Sequence, residues 1–400
     1  MLRKILPLAA TALFFLYLFQ GGGCWGATNW DQPVHRSMQV LILLNLLWWA
    51  DRRLATPPAQ WFPTPVDRLL PPSLLALLIS VLGNLDRLAE AKVGWWFLAC
   101  SALFFYLVHD VLANRRLTLG QLSDGLLIGA TIPVLSGVGQ SLLLGDRAQA
   151  ALENPNHFGG LMVVLVPLAI ARSREQPRPW SFLYRGLALL AFVGLCLSGS
   201  RGAFLGLAGS LLLVHKRFRL PILATVAPIL LAAIWWRWGS VAGRALVYGF
   251  AWDGICEQPI WGNGLMAFRV WLPQHDIPYF QAHNILLHVA YELGLCGLIV
   301  FLVDAAAMTL ASRRAGPPDR QGWQAALIGT AIHQFVDVTW LFPMMFVLLP
   351  VLLAAATVRF DEPPRRRQRL VTVCLQGAWI LLIGVAWVSG GVPLEFFSGN

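Results

Sequence analysis

Apolar stretches of membrane-spanning length recur from one end of this 400-residue chain to the other, and the Lys and Arg between them sort to alternate connections. A helix needs about 20 residues to cross a hydrocarbon core, somewhat fewer when it packs against neighbours. On that measure the sequence predicts spans near 5–20, 37–50, 68–84, 94–112, 124–143, 157–172, 183–198, 202–214, 218–236, 284–304, 322–338, 342–358 and 370–390. The runs at 37–50 and 202–214 are short, which suits tilted, broken or re-entrant helices. With Arg3 and Lys4 in the cytoplasm, alternation collects Arg52, Arg53 and Arg68, Arg115 and Arg116, Arg172 to Arg185, Lys216 to Arg219, Arg313 to Arg320 and Arg359 to Arg369 on the inside. Only eight of the 30 Lys and Arg then lie outside, which is the positive-inside pattern. The expected fold is an all-α polytopic membrane bundle of about 12–13 transmembrane helices with one large outside loop, residues 237–283.

Composition excludes the main alternatives. Charged residues make up 12% of the chain, against roughly 25% in soluble domains. The formal charge of +10 does not point to nucleic acid, because the basic residues form short clusters between apolar runs rather than one patch. The 18 tryptophans suit interface belts. The cysteines show no metal-ligand spacing. Cys100, Cys196, Cys296 and Cys374 sit in apolar runs, where a small buried hydrophobe is the default. Cys24 and Cys256 fall in outside loops. The 237–283 loop mixes Trp, Gly, Pro, acids and Arg, so short helices and turns packed on the membrane surface are expected there. Long structured loops are usually functional.

The outside cations break the general bias and are therefore informative. Arg201 lies in Ser198-Gly199-Ser200-Arg201-Gly202, between two apolar runs with almost no loop. An Arg at the bilayer centre costs roughly 2.5–3.5 kcal/mol even on the lenient insertion scale. It either snorkels to outer headgroups or binds an anion, fixed by a small-residue turn. Arg244 and Arg269 lie in the outside loop and suit lipid phosphates or a ligand anion. His283-Asn284 stands where that loop meets the next span. A boundary histidine is either a hydrogen-bonded structural group or a base. His288 and Glu292 follow four residues apart on one helical face, as a self-satisfying pair would. Asn154-Pro155-Asn156-His157 opens a span from the outside, with Asn as a helix cap, a functional group or both. Asp337, four residues after His333, could orient a base or an Arg. Arg201, Arg244, His157, His283 and Asp337 come from five segments, yet the topology puts all of them on one membrane face.

Taken in order, these pieces resemble the O-antigen ligase and O-antigen polymerase superfamily of bacterial lipid-linked glycan transferases. The matching residues are Asn154-Pro155-Asn156, then Ser198-Gly199-Ser200-Arg201-Gly202. Gly243-Arg244 with Trp252 and Pro259-Ile260-Trp261-Gly262-Asn263-Gly264 come next, and His283-Asn284 with Glu292-Leu293-Gly294 closes the series. The resemblance covers roughly residues 150–345. It implies a membrane glycosyltransferase of the bacterial inner membrane, working on the periplasmic face. Such an enzyme moves a glycan from an undecaprenyl-diphosphate carrier to a hydroxyl on lipid A-core, as in lipopolysaccharide biosynthesis, or to another glycan, as a polysaccharide polymerase does. It implies Arg201, Arg244 and His283 as catalytic groups, Asn156, Arg269, Asn284 and Asp337 as substrate-binding groups, and neither metal nor cofactor. Three regions are expected: variable membrane helices over 1–145, a catalytic core over 146–358 and a carboxyl-terminal membrane helix over 359–400.

That chemistry also stands on the residue types. Arginine forks match a diphosphate leaving group bidentately and stabilise its growing charge. A hydroxyl nucleophile needs a positioned base, and a polyprenyl tail requires a site at a membrane boundary. With no carboxylate nucleophile in the set, direct displacement and inversion are expected. Rival classes fit less well. A serine protease built on Ser198 or Ser200 leaves Arg201 unexplained, and the His-Glu-x-x-His of a zinc protease is absent. A transporter or lipid flippase should carry polar groups along a path across the membrane rather than on one face.

Overall fold

The computed structural model describes residues 2–19, 62–152, 154–214, 238–268, 281–313, 318–339 and 343–360, with Leu44 and Leu47 besides. Those residues are mostly helical, with no strand among them. The helices are α1 (Leu2–Tyr17), α2 (Val66–Gly83), α3 (Leu88–Ala113), α4 (Leu119–Leu144), α5 (Pro155–Glu175) and α6 (Arg178–Ser198). They continue with α7 (Arg201–Val214), α8 (Trp238–Glu257), α9 (Ile285–Ser312), α10 (Pro318–Gln334) and α11 (Pro343–Thr357). Five of them, α2, α4, α5, α6 and α9, are long and apolar enough to cross a membrane. The expected spans at 37–50, 218–236 and 370–390 lie outside the described residues apart from Leu44 and Leu47, and so does Arg269. The protein is an all-α polytopic membrane protein.

Helix α5 is the hub. It packs against α4, α6, α7 and α10, and every residue from His157 to Ala169 is buried. A helix apolar on all sides belongs in the middle of a bundle. The outward faces of α6 (Leu183, Leu189, Phe192) and α9 (Ile299, Leu302, Val303) are exposed and apolar, as lipid contact requires. Helices α5, α7 and α9 begin at the end of the bundle that the charge pattern places outside, here called the outer end.

At the opposite end one arginine ties four helices. Arg172, counted in the sequence with the loop cations, is buried instead, with its side chain 7% exposed. Its Nε and Nη2 donate to both oxygens of Asp124 on α4, at 2.8 and 2.9 Å. Its Nη1 donates to Glu175 at 3.0 Å and to Asp319 on α10 at 3.1 Å. The Tyr184 hydroxyl of α6 donates to Asp124 at 2.6 Å. An arginine so deep is tolerable because each nitrogen meets a carboxylate.

The outer end is built around a break in α9. Its 28 residues would span about 42 Å at 1.5 Å per residue, more than a hydrocarbon core of about 30 Å. The backbone turns out of helical geometry at Gly294, with φ 65° and ψ −170°. The Pro259–Gly264 loop fills the break: Asn263 N–H donates to the Tyr291 carbonyl at 2.7 Å, Gly264 N–H to Glu292 at 3.0 Å, and Leu295 N–H to Pro259 at 2.8 Å. Ser80 and Asn84, at the outer end of α2, bond the carbonyls of Glu292 and Gly262 at 3.0 Å each. A Cβ on Gly294 would overlap the Ile260 carbonyl, and its φ favours glycine besides. Gly294→Ala is therefore expected to destabilise the protein by roughly 1–3 kcal/mol, seen as a lower melting temperature of the purified protein. An unchanged melting temperature would show that the clamp is dispensable.

Two local expectations are corrected. The outside loop, expected to hold short helices, contains the 20-residue α8, whose Val247, Ala251 and Ile255 recur every four residues and bury against Phe268 and Tyr291. The span expected at 322–338 ends as a helix at Gln334. There the Gln334 amide grips Thr339, donating to its hydroxyl at 2.8 Å and accepting from its N–H at 2.9 Å. The chain turns, and Asp337 leaves the helix.

Candidate active site at the outer end

Most side chains of the site are set by a helix terminus or the turn beside one, and Arg244 stands inside α8. Asn154 caps α5, its side-chain oxygen accepting from Asn156 N–H at 2.8 Å. Helix α6 ends on Gly199 in the left-handed conformation, and Arg201 opens α7 two residues later. Asn284 caps α9, its oxygen accepting from the N–H groups of Leu286 and Leu287 at 2.9 and 3.2 Å. Three helix amino termini thus face the outer end, the polarity that favours anions there.

A cleft with an empty volume of about 380 Å³ opens between them, lined by Arg147, Asn156, Gly199, Ser200, Arg201, Gly202, Arg244 and Asp337. Three of its walls are arginines and one is a carboxylate. Arg147 is anchored by donating from Nε to the Ser198 carbonyl at 2.7 Å and from Nη2 to Asn156 Oδ1 at 3.2 Å. Arg244 Nη2 lies 4.0 Å from Asp337 Oδ2.

Asp337 joins this cleft to His283. Its Oδ1 lies 2.7 Å from His283 Nδ1 and accepts from the Gln281 amide at 3.2 Å. Burial pushes the Asp337 carboxyl up, but the His283 hydrogen bond and the electrostatic influence of neighbouring His283, His333 and Arg244 outweigh it and hold the group well below the usual carboxylate range. An ionised Asp337 accepts the Nδ1 proton, so the His283 lone pair sits on Nε2. His283 has φ 52°, a strained conformation for a residue with a Cβ, of the kind that collects at functional sites.

Behind Asp337, His333 is wholly buried between two glycines. A Cβ on Gly160 of α5 would come within 3.1 Å of its Nδ1, and one on Gly202 of α7 within 2.8 Å of its Cδ2. Only a pair of glycines lets α5 and α7 close over that imidazole. His157 is also buried, within electrostatic reach of Asp337, His333 and His283.

The structure therefore brings together Arg201, Arg244, Asn156, Asp337 and His283. It gives the Asn284 side-chain oxygen to the α9 cap. His288 and Glu292 lie away from the cleft. Glu292 Oε1 accepts from Phe268 N–H at 3.3 Å and stands 3.5 Å from His288 Nε2, and the His288 ring stacks on Phe268. Sequence reasoning missed Arg147 and Gln281. Arg147 is one of the eight outside cations, and that exception was its signal. Gln281 had none beyond lying two residues before His283.

Residues 186–302 match the family model described as O-Antigen ligase. That stretch, less than a third of the chain, is similar to the O-antigen ligase family. The match runs from within α6 to within α9 and includes Arg201, Arg244, Arg269, His283 and Asn284. Arg147, Asn156 and Asp337 lie outside the matched stretch, and the structure brings them to the same cleft. Members of the family are glycosyltransferase-like ligases or polymerases. No curated protein matches the sequence.

Proposed function

We propose that this protein is a glycosyltransferase of the bacterial inner membrane, with residues 146–358 as its catalytic core and its site facing the periplasm. It transfers a glycan from undecaprenyl diphosphate to a hydroxyl acceptor, in the manner of an O-antigen ligase. The observation that carries this is the run from cleft to base: Arg147, Arg201 and Arg244 around an open cleft, with Asp337 reaching Arg244 on one side and His283 on the other.

The acceptor oxygen attacks the anomeric carbon as the bond to the diphosphate oxygen breaks on the opposite face, inverting the centre. His283 Nε2 takes the hydroxyl proton, and Asp337 stabilises the imidazolium that forms. The leaving diphosphate remains on its lipid carrier. Arg201 and Arg244 meet its growing charge, with Arg147 as a third fork and the amino termini of α5 and α7 adding their dipoles. Asn156 fixes Arg147, and Arg269 belongs to the same donor-binding set. An acceptor on lipid A-core makes the enzyme a ligase, and one on a second lipid-linked glycan makes it a polymerase.

Arg201→Lys is the direct test. A Lys keeps the charge but replaces the planar fork by a point donor, so glycan transfer by the purified variant should fall at least tenfold, the loss of about 1.4 kcal/mol of transition-state binding. Near-normal transfer would reduce Arg201 to a cation snorkelling at the membrane edge.

A further inference from the structure

Trp252 belongs to the sequence pattern, yet the transfer chemistry gives it no part. It lies on α8 eight residues beyond Arg244, and Tyr248 stands midway. Each four-residue step along a helix rises about 6 Å and turns only about 40°, so Arg244, Tyr248 and Trp252 form one slowly winding stripe. The stripe leads away from the cleft, and exposure rises along it. The Arg244 side chain is 20% exposed, Tyr248 is half-buried within the electrostatic field of Arg244 and Asp337, and Trp252 is 61% exposed. A single exposed Trp is ordinary on a protein surface. A Tyr and a Trp in register with the arginine at the mouth of an anion cleft are a different matter. The face of α8 beside the stripe, Val247 and Ala251, is already buried in the core, so packing does not require the two rings.

We infer that Tyr248 and Trp252 form a glycan-binding ramp that holds the donor's sugar chain as it leaves the diphosphate. The inference rests on the transferase reading and extends it. The ligand class is set by chemistry. A sugar ring presents an apolar face of C–H groups edged by hydroxyls, which suits an aromatic ring with a polar tip. The rise from Arg244 to Tyr248, and again to Trp252, is comparable with the length of one sugar unit. With the diphosphate at Arg244, the first sugar meets Tyr248 and a later one Trp252. Continuity with the cleft assigns the ramp to the donor glycan rather than to the acceptor.

The test uses the full chain in lipid nanodiscs with two donors, polyprenyl diphosphate carrying a single sugar or an oligosaccharide. Trp252→Ala should raise KM for the oligosaccharide donor roughly five- to tenfold, the size of one aromatic stacking contact, and leave the single-sugar donor as it was. Trp252→Phe should restore most of the loss. Leu246→Ala, on another face of α8, should change neither donor. An equal loss with both donors, or none, overturns the ramp. So does a response to acceptor length at fixed donor. In each of those cases the transferase reading survives provided Arg201→Lys still impairs transfer with both donors. If Arg201→Lys also transfers normally, it is the transferase reading that fails.

Discussion

Replacing His283 with Ala should slow glycan transfer roughly 10²–10⁴-fold, the usual contribution of a positioned base, with donor binding close to unchanged. The two effects separate because the geometry separates them. His283 reaches the cleft through Asp337 and is not one of its walls, whereas Arg147, Arg201 and Arg244 line it directly. An interaction made only as the hydroxyl proton leaves lowers kcat without weakening the ground state. Arg244→Ala makes the contrast, weakening donor binding and slowing transfer together, because its charge complements both the bound diphosphate and the departing one. Purified variants in nanodiscs allow the two quantities to be read apart, by equilibrium binding of the polyprenyl diphosphate donor and by single-turnover transfer at saturating donor. Should His283→Ala lose donor binding as severely as Arg244→Ala while its saturated rate survives, the imidazole binds substrate and the base lies elsewhere.

The fold was largely legible because the bilayer imposes it. Length and hydropathy locate a crossing helix without reference to its neighbours, and ten of the expected spans coincide with described helices. What sequence could not show was decided by contacts between distant segments. Arg172 reads as a loop cation until Asp124 and Asp319 are seen around it, 48 and 147 residues away. Hydropathy extends α10 four residues too far because Phe335 and Val336 continue its apolar run. The Gln334–Thr339 hydrogen bonds that end it leave no periodic trace. The site was legible in its charges rather than in its connections. Arg201, Arg244 and His283 stand out as polar residues in costly or exceptional places. Asp337 could be read as orienting a base or an Arg, but no spacing said that its partner is His283, 54 residues away. Arg147 was visible only as an exception to the charge bias, and Gln281 not at all, since one neutral amide in an outside loop breaks no rule. The Pro259–Gly264 pattern, one piece of the family resemblance, proves to be the clamp that fills the α9 break.

Asp337→Asn should be nearly as damaging as loss of the base, on the order of 10²–10⁴-fold in transfer rate, as with the carboxylate of a catalytic triad. The substitution preserves shape and burial but reverses the hydrogen-bonding logic. As a carboxylate, Oδ1 accepts from both His283 Nδ1 and the Gln281 amide, at 2.7 and 3.2 Å. An amide in its place can offer its own N–H groups to His283, favouring the tautomer whose Nε2 carries a proton and cannot take another. The negative charge that would stabilise the imidazolium is lost as well. Donor affinity should not fall, because Asp337 repels a diphosphate and draws on Arg244 at 4.0 Å, so its neutralisation leaves that arginine at least as available. The decisive measurement is the double variant. If Asp337 acts through His283, His283→Ala with Asp337→Asn should be no slower than His283→Ala alone, since groups that work as a unit lose their effect once. Losses that multiply would mean that Asp337 acts on the reaction through Arg244 instead, and the shared oxygen between Gln281 and His283 would then be a structural contact.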